Sequence, residues 1–353
     1  MIPESMADVT PSWMQRALSE SGRIDAPIAA VSIEPMPASK GLIGDLATVH
    51  IEYEQRDALD VSGPERLALK LPAANDDSRR IGSMLNAYGR EAAFYEHVAS
   101  DSSHFAPCFL NEADAEQDRW ALAIEFIDGD AFDFVGGATH AQATAAVDAL
   151  AALHADWWNG AAEFEWMPGF DRGGVGGLAP LWRDSLPVFT ERYREVLPGE
   201  TASWVLAFAP QLADWSAGAA DDPLTLVHAD YRLDNLLFRG SDVTIIDWQT
   251  AMRAPAAMDL SCFIATSLTV DDRRAHEDAL IDRYLAALAR GDVEVDHGWF
   301  RRSYDENLLW WMGQFGNNLA YLDPDDAEVA RTLTAMIERV YSAGHDHDVG
   351  RLL

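Results

Sequence analysis

The stretch from residue 226 to residue 249, LVHADYRLDNLLFRGSDVTIIDWQ, places acidic and amide side chains beside short apolar runs. Asp230 and Asn235 lie five residues apart in a segment that leads into a strand-like run, and Asp247 ends the next such run. A carboxylate beside a buried strand is unfavourable unless it has a partner. These residues therefore either decorate turns or hold something positively charged.

The chemistry of the three side chains favours the second interpretation. A tight hairpin through RGSD, residues 239–242, would bring Asn235 and Asp247 close together. Carboxylate and amide oxygens are hard ligands that suit Mg²⁺, which completes its coordination with water and substrate phosphates. Asp230 would then be free to orient a hydroxyl group and accept its proton. We expect His228 to brace the same loop through hydrogen bonds.

The bulk composition excludes several classes of partner. The chain has 353 residues, of which 48% are hydrophobic, so a packed interior in one bilobal unit or two domains is expected. A net charge of −32, from 58 acidic and 26 basic residues, argues against a nucleic acid or an anionic membrane as the partner. No apolar run reaches membrane-spanning length, and the beginning of the chain lacks the pattern of a secretory signal.

The two cysteines indicate the redox compartment. Cys108 and Cys262 are far apart and lack the spacing of metal ligands, so neither a disulfide framework nor a zinc site is expected. The expected location is the reducing cytoplasm.

Hydrophobic periodicity divides the chain into two regimes. The first, up to residue 127, alternates apolar and polar side chains in several runs, whereas the second follows helical stripes. The predicted elements of the first regime are a leading helix at 10–20, strands at ATVHIEY and RLALKLP, a helix at about 83–99, and strands near 106–111 and 120–127.

These regimes predict an α+β fold of two lobes. The first lobe, residues 1–127, would contain an antiparallel sheet and one main helix, and the second, residues 128–353, would be larger and mostly helical. A cleft between two lobes is a common ligand site.

The order of the polar residues resembles that of a known group of kinases. HADYRLDN, followed twelve residues after its Asn by the Asp of IIDW, is similar to the catalytic and metal-binding loops of aminoglycoside phosphotransferases and choline kinase-like enzymes. Those families share the protein-kinase-like fold. The stretch from Asp247 through PAAMDLSCFI, residues 255–264, is most similar to the ecdysteroid kinase-like branch.

The resemblance implies a role for each matching residue. Asp230 would be the catalytic base, and Asn235 and Asp247 would bind Mg²⁺. Asp259, within AAMDLS, would brace the catalytic loop.

The resemblance also implies a lysine and an acidic partner that hold the α- and β-phosphates of ATP. Lys70 ends LALK, is one of only two lysines in the chain, and has the strand phase that points away from Leu69 and Leu71. Its predicted partner is Glu91, with Glu96 on the same helix as the alternative.

Two further segments would complete the nucleotide site. Gly41 and Gly44, in ASKGLIGDLATVH, would allow the backbone of a loop to approach the phosphates closely. Backbone groups from Glu125 to Ile127, in AIEFIDGD, would pair with adenine.

Departures from the protein-kinase pattern narrow the class. Ala229 stands where protein kinases have an Arg that reads a phosphorylated loop, and Trp248 and Gln249 replace a Phe-Gly pair that lets the segment swing. Small-molecule kinases share these departures, so the resemblance favours a constitutively assembled site.

The phosphate acceptor is expected to bind among the helices of the second lobe. In NLLWWMGQFGNNLAYL, the residues Trp310, Gln314 and Asn317 share one face of a predicted helix. Amides with aromatic walls suit a hydroxylated, fairly apolar acceptor, although ordinary core packing is the better account of any single tryptophan.

The predicted function is an ATP- and Mg²⁺-dependent transfer of phosphate to a hydroxyl group of a small molecule, by a monomer or homodimer. A catalytically silent nucleotide-binding protein and an aminoglycoside- or choline-type kinase with a cationic substrate are the alternatives. A metal-dependent hydrolase using His228, Asp230 and Asp247 would need further ligands with a recognisable spacing, which the sequence lacks.

Overall fold

The described residues form two compact units. A computed structural model describes residues 2–22, 24, 26–36, 43–54, 63–99, 104–114, 116–117, 119–130, 133–161, 164–170, 174–219, 222–322 and 327–353. Unit 1 comprises Met1–Asp128 and Thr244–Thr250, and unit 2 comprises Gly129–Val243 and Ala251–Leu353. The short segment that carries Asp247 therefore groups with unit 1.

Unit 1 is built on a five-stranded antiparallel sheet. Its strands follow the order β1-β2-β3-β5-β4 across the sheet, so β3 lies at the centre. The strands are β1 (Ile28–Pro35), β2 (Gly44–Tyr53), β3 (Arg66–Pro72), β4 (Cys108–Asp114) and β5 (Arg119–Glu125).

One face of this sheet forms a hydrophobic core with a helix that precedes β1. Leu67, Leu69 and Leu71 alternate along β3 and pack with residues of α1, Pro11–Glu20. The Thr10 hydroxyl caps α1 by accepting from the N–H of Trp13 at 3.2 Å. The apolar side chains of β3 are thus covered on one face, which leaves the other face for polar residues.

The helix predicted at about 83–99 is wrong in its extent, because the structure has two helices there. They are α2, Asp76–Met84, and α3, Ala87–His97. Asn86 separates them with a φ of 50°, in the left-handed region that asparagine tolerates better than most residues. The second helix, α3, carries Glu91.

Unit 2 is mostly helical. Its helices are α4 (His140–Asp156), α5 (Ala179–Arg192), α6 (Thr201–Phe208), α7 (Leu212–Ala219), α8 (Ala257–Ser267), α9 (Val270–Arg290), α10 (His297–Leu319) and α11 (Ala327–Asp346). All residues of α8 are buried, so this helix forms the centre of the unit. The predicted α+β class is confirmed.

Short strands frame the segment that the sequence singles out. The strands are β6 (Leu224–Val227), β7 (Leu236–Arg239), β8 (Asp242–Ile245) and β9 (Met252–Pro255). β6 pairs with β9 and β7 pairs with β8. The predicted turn between β7 and β8 is confirmed, with Gly240 at a φ of +63°.

Two glycines of α10 allow α5 to approach closely. A Cβ at Gly313 would overlap the Trp182 ring, and one at Gly316 would lie 2.7 Å from Leu186 Cδ2. Both partners belong to α5. Among the described residues, no helix is both long enough and apolar enough to cross a membrane.

Candidate active site

Lys70 lies between two carboxylates in unit 1. Its Nζ donates to Glu91 Oε2 at 2.7 Å and to Asp247 Oδ1 at 2.5 Å. A third contact joins Nζ to Gln249 Oε1 at 3.3 Å. The exposed fraction is 9% for the Lys70 side chain and 3% for that of Glu91. Three of the predicted site residues are thereby brought together, with Glu91 rather than Glu96 as the helical partner.

The strand phase and a glycine explain how Lys70 reaches this position. Lys70 points to the face of the sheet opposite Leu69 and Leu71, as its alternation predicts. It pairs in register with Leu46 of β2 and Leu122 of β5. A Cβ at Gly44 would lie 3.1 Å from Lys70 Cε. Glycine at residue 44 therefore leaves room for the lysine stem.

Asp247 is presented by an unusual backbone conformation. Its φ is +66°, a region that non-glycine residues seldom adopt and that marks functional or strained positions. Gln249 Nε2 donates to Asp247 Oδ2 at 3.2 Å. Trp248 fixes the segment, because its buried ring stacks on Phe94 with centroids 4.0 Å apart. The aromatic residue in place of Phe-Gly therefore anchors the metal-binding candidate.

Burial and charge act in opposite directions on this cluster. Burial raises the pKa of Glu91 above its usual value, although the charge of Lys70 opposes the shift. Burial alone would lower the pKa of Lys70, but the carboxylates of Asp247 and Glu91 outweigh it, so the pKa of the ammonium is raised. The lysine is therefore a fixed cation at neutral pH.

In unit 2, Asp230 is the centre of a second polar cluster. Arg232 Nε donates to Asp230 Oδ1 at 2.6 Å, and Arg232 Nη2 lies 3.3 Å from Asp230 Oδ2. Asn235 Nδ2 donates to the Asp230 carbonyl oxygen at 2.9 Å and to Oδ2 at 3.0 Å. Burial raises the pKa of Asp230, and the charge of Arg232 opposes that shift.

Asp259 braces the loop that carries Asp230. Its carboxylate is fully buried and accepts from the backbone N–H groups of His228 at 2.6 Å and Ala229 at 2.8 Å. Ala229 has a φ of 58°, so the two hydrogen bonds from the backbone N–H groups hold a strained residue in place. The arrangement supports the bracing role proposed for Asp259, whereas His228 contributes its backbone to the brace.

The buried side chain of His154, in α4, contacts Asp259. Its Nδ1 lies 2.6 Å from the Tyr284 hydroxyl and its Nε2 lies 3.4 Å from Asp259 Oδ2. The imidazole is fully buried. This histidine of α4 therefore holds Asp259, which in turn braces the loop that carries Asp230.

The donor set fits a magnesium ion chemically. Asp247 offers a carboxylate, and the Asn235 amide nitrogen is used on Asp230, so its oxygen is the atom left to act as a ligand. Asn235 belongs to unit 2 and Asp247 to unit 1. Among the described residues, no group of three or more His, Cys, Asp or Glu side chains has the spacing of a metal site. Magnesium needs only one or two protein ligands beside phosphate and water.

The structure does not test the remaining predictions for the nucleotide site, which concern Gly41, Glu125 and Ile127. Gly41 lies outside the described residues. The N–H of Glu125 donates to the Pro107 carbonyl at 2.8 Å, so that donor is already used within unit 1. Ile127 follows β5 and is buried. The adenine contacts of Glu125 and Ile127 stay predictions.

The three acceptor-site candidates lie on α10. The Trp310 ring is buried and lies 6.4 Å from that of Trp182. Asn317 Oδ1 accepts from the Ser185 hydroxyl at 2.7 Å. Trp310 Nε1 and Gln314 Oε1 are buried atoms that have no hydrogen-bond partner within the described part of the chain. Much of this face therefore packs against α5, and the acceptor role of its residues stays a prediction.

Two members of these clusters were not predicted. Arg232 lies outside the pattern of His, Asp and Asn residues that carries the resemblance. Gln249 was noted only as a departure from the protein-kinase pattern. Their signal in the sequence is their position, because each lies two residues after a predicted functional aspartate.

Two solved structures share the fold of this chain. The chain is similar to the structure of choline kinase from Cryptosporidium parvum Iowa II, with 13% identity, coverage of 90% of this chain and 91% of that chain, and a TM-score of 0.56. It is also similar to a candidate aminoglycoside phosphotransferase from Ralstonia eutropha JMP134, with 13% identity, coverage of 95% and 97%, and a TM-score of 0.53. At such identities these structures show the fold, and the kinase-like fold is confirmed.

The family assignment comes from the sequence itself. A model described as the phosphotransferase enzyme family matches residues 54–297, more than half of the chain. No match was found among curated proteins, and the ecdysteroid kinase-like branch stays a prediction. The chain therefore belongs to the phosphotransferase enzyme family and is a small-molecule kinase whose acceptor is a hydroxyl group.

Proposed function

We propose that this kinase transfers the γ-phosphate of ATP to the hydroxyl of a small molecule with the help of Mg²⁺. The observation that carries the proposal is the buried contact of Lys70 with both Glu91 and Asp247. A buried ammonium costs free energy unless anions satisfy it, and a nucleotide offers phosphate oxygens to such a cation. A lysine held between two acids is the arrangement expected for phosphate binding.

Each residue has a defined part in the proposed reaction. Lys70 holds phosphate oxygens, and Glu91 fixes the lysine. Asp247 and Asn235 would hold the metal, which neutralises negative charge on the phosphates when bound. Asp230 orients the acceptor hydroxyl and accepts its proton. A bond forms between the hydroxyl oxygen and the γ-phosphorus. The bond from that phosphorus to the bridging oxygen breaks, and its electron pair leaves with ADP.

The first test separates nucleotide binding from transfer. Asp247→Ala should abolish the rise in melting temperature that Mg·ATP causes in the wild type, because a predicted metal ligand is lost. Asp230→Asn should keep that rise, since the base does not hold the nucleotide. Asp242→Asn, which removes an exposed carboxylate of the same hairpin, is the matched control and should behave as the wild type.

The second test identifies the acceptor. ADP release should be measured with a panel of alcohols, amino sugars and hydroxyacyl compounds, with the wild type and Asp230→Asn side by side. Release that one compound stimulates, and that Asp230→Asn loses, would support transfer to a hydroxyl. A wild type whose melting temperature does not respond to Mg·ATP would contradict the nucleotide part of the proposal.

A further inference from the structure

Two guanidinium nitrogens of Arg232 donate to the carboxylate of Asp230. The contacts are 2.6 Å from Nε to Oδ1 and 3.3 Å from Nη2 to Oδ2. The two nitrogens of one planar guanidinium thus face the two oxygens of one planar carboxylate. A paired arrangement of this kind fixes direction as well as distance. Lysine, with its compact ammonium, cannot reproduce it.

A second carboxylate lies beside the guanidinium nitrogen that also reaches Asp230 Oδ2. Arg232 Nη2 lies 3.3 Å from Asp234 Oδ2. The side-chain exposure is 17% for Arg232, 25% for Asp230 and 37% for Asp234, so exposure increases from the arginine outward. Arg232 is therefore immobilised by an outer anion while it contacts the inner one.

The hydrogen bonds already made leave Asp230 little freedom. A carboxylate has about four acceptor positions. Arg232 Nε occupies one of them, on Oδ1, while Arg232 Nη2 and Asn235 Nδ2 both reach Oδ2. One position, on Oδ1, is left for a further donor. The orientation of the carboxylate, and with it the direction from which a hydroxyl can approach, is set by these partners.

We infer that Arg232 is a positioning residue, which aims the free acceptor position of Asp230 at the substrate hydroxyl. The inference rests on the proposed function, because it gives the direction of the proton acceptor proposed there. Asp234 is the anchor of this arginine. The loop sequence D-Y-R-L-D-N thus contains the base, its positioner, the anchor and the metal-binding amide in order.

The test is a kinetic comparison of Arg232 variants with the acceptor found by the panel. Arg232→Gln should lower kcat about 10- to 100-fold, because displacement of a reacting group by about 1 Å has effects of that size. The KM for ATP should stay within about twofold of the wild-type value. The rise in melting temperature that Mg·ATP causes should equal that of the wild type within error. Arg232→Lys should have a higher kcat than Arg232→Gln, because lysine keeps the positive charge but lacks the paired nitrogens of the guanidinium.

Two further variants control the experiment. Arg239→Gln, at an exposed position of β7, makes the same change of residue type and should leave kcat as in the wild type. Asp234→Asn should reduce kcat in the same direction as Arg232→Gln but less, because it loosens the arginine without removing it. This variant also keeps the test informative if Arg232→Gln folds poorly.

Specific outcomes would overturn the inference. If kcat of Arg232→Gln stays within twofold of the wild type, the arginine does not position the base. If kcat, Mg·ATP binding and melting temperature all fall in Arg232→Gln, and Arg232→Lys restores none of them, the role of the arginine is structural. Failure of the proposed function would look different, because Asp230→Asn itself would then retain activity.

Discussion

Asp259 shows at the scale of one residue how a buried charge is compensated. It accepts two backbone N–H groups and contacts His154. Charge-assisted hydrogen bonds of this kind are stronger than neutral ones, and the carboxylate is therefore tolerated without exposure to water. The same contacts determine the shape of the loop before Asp230.

Substitution of Asp259 should damage both stability and activity. Asp259→Ala leaves two buried N–H groups without an acceptor, so the free energy of unfolding should fall by about 3 kcal/mol or more. The kcat should fall as well, because the loop at Ala229 loses its brace. Chemical denaturation and ADP release measure the two effects.

An exposed aspartate provides the control for this prediction. Asp242→Ala should change the free energy of unfolding by no more than about 0.5 kcal/mol. Equal stability of Asp259→Ala and wild type would mean that the N–H groups find other acceptors.

The site residues predicted from the sequence come from the resemblance to known kinases, and strand phase and spacing support them. The resemblance implies a phosphate-binding lysine and an acidic partner; β-strand alternation separates Lys70 from three leucines, and Glu91 lies on the following helix. Arg232 and Gln249 could not be found in this way. Their contacts depend on side-chain directions in a loop and on the positive φ of Asp247, and neither has a periodic signal.

At the scale of elements, the close packing of α10 on α5 requires glycine at residue 313. Alanine favours helix over glycine by about 1 kcal/mol, so Gly313→Ala would stabilise an isolated helix. In this protein the added Cβ would overlap the buried Trp182 ring, and overpacking typically costs about 1–3 kcal/mol. We expect Gly313→Ala to lower the free energy of unfolding, as measured by denaturant titration.

A second helical glycine offers a matched control. At Gly218 in α7, a Cβ would meet nothing within 4 Å. Gly218→Ala should therefore raise the free energy of unfolding by up to about 1 kcal/mol. If both substitutions stabilise the protein, α5 and α10 pack less tightly than the structure indicates.

His347 links three helices through its two ring nitrogens. It follows α11, and its Nδ1 lies 2.7 Å from Asp305 of α10, while Nε2 lies 3.1 Å from Glu277 of α9. Burial alone would lower the pKa of His347, but hydrogen bonds to Asp305 and Glu277 outweigh it and raise the pKa to about 9. The charged imidazolium therefore stabilises the folded state.

This linkage gives a dependence of stability on pH with a definite sign. The folded pKa lies above the ordinary value of 6.5, so the stabilisation is complete below pH 6.5. It is lost as the pH rises through about 9, with a total on the order of 3 kcal/mol. His347→Gln should remove most of the difference between the free energies of unfolding at pH 6 and pH 9.5. A wild-type slope that this variant leaves unchanged would contradict the assignment.

The elements themselves were predicted unevenly. In α9 the buried apolar side chains recur with helical spacing and the helix ends at Gly291, as periodicity and a C-terminal glycine predict. The break at Asn86 was not predicted. The apolar residues before it, Ile81, Met84 and Leu85, are exposed, and the left-handed backbone of Asn86 separates α2 from α3. Periodicity records which side chains are buried but not where the backbone turns.

Charge dominates at the scale of the whole molecule. With 58 acidic and 26 basic residues, the folded chain holds like charges closer together than the unfolded chain does. Ionic strength shortens the screening length from about 30 Å at 0.01 M to about 10 Å at 0.1 M. We expect the melting temperature to rise between 0.01 M and 0.3 M NaCl at pH 7.

The pH provides the control for the effect of salt. Near the calculated isoelectric point of about 4.4, repulsion between like charges is small, and the dependence on NaCl should shrink as the pH approaches it. A melting temperature that falls with salt at pH 7 would show that ion pairs outweigh the repulsion.

The scarcity of lysine makes the ammonium of Lys70 a reporter as well as a ligand. Only Lys40 and Lys70 occur in the chain, so an amine-directed reagent has few side chains to modify. Lys70 is held protonated and nearly inaccessible between Glu91 and Asp247, and a protonated amine is not a nucleophile. Covalent labelling of this single residue, followed by mass spectrometry, would thus record whether the ion-pair cluster is closed or open in any state of the enzyme.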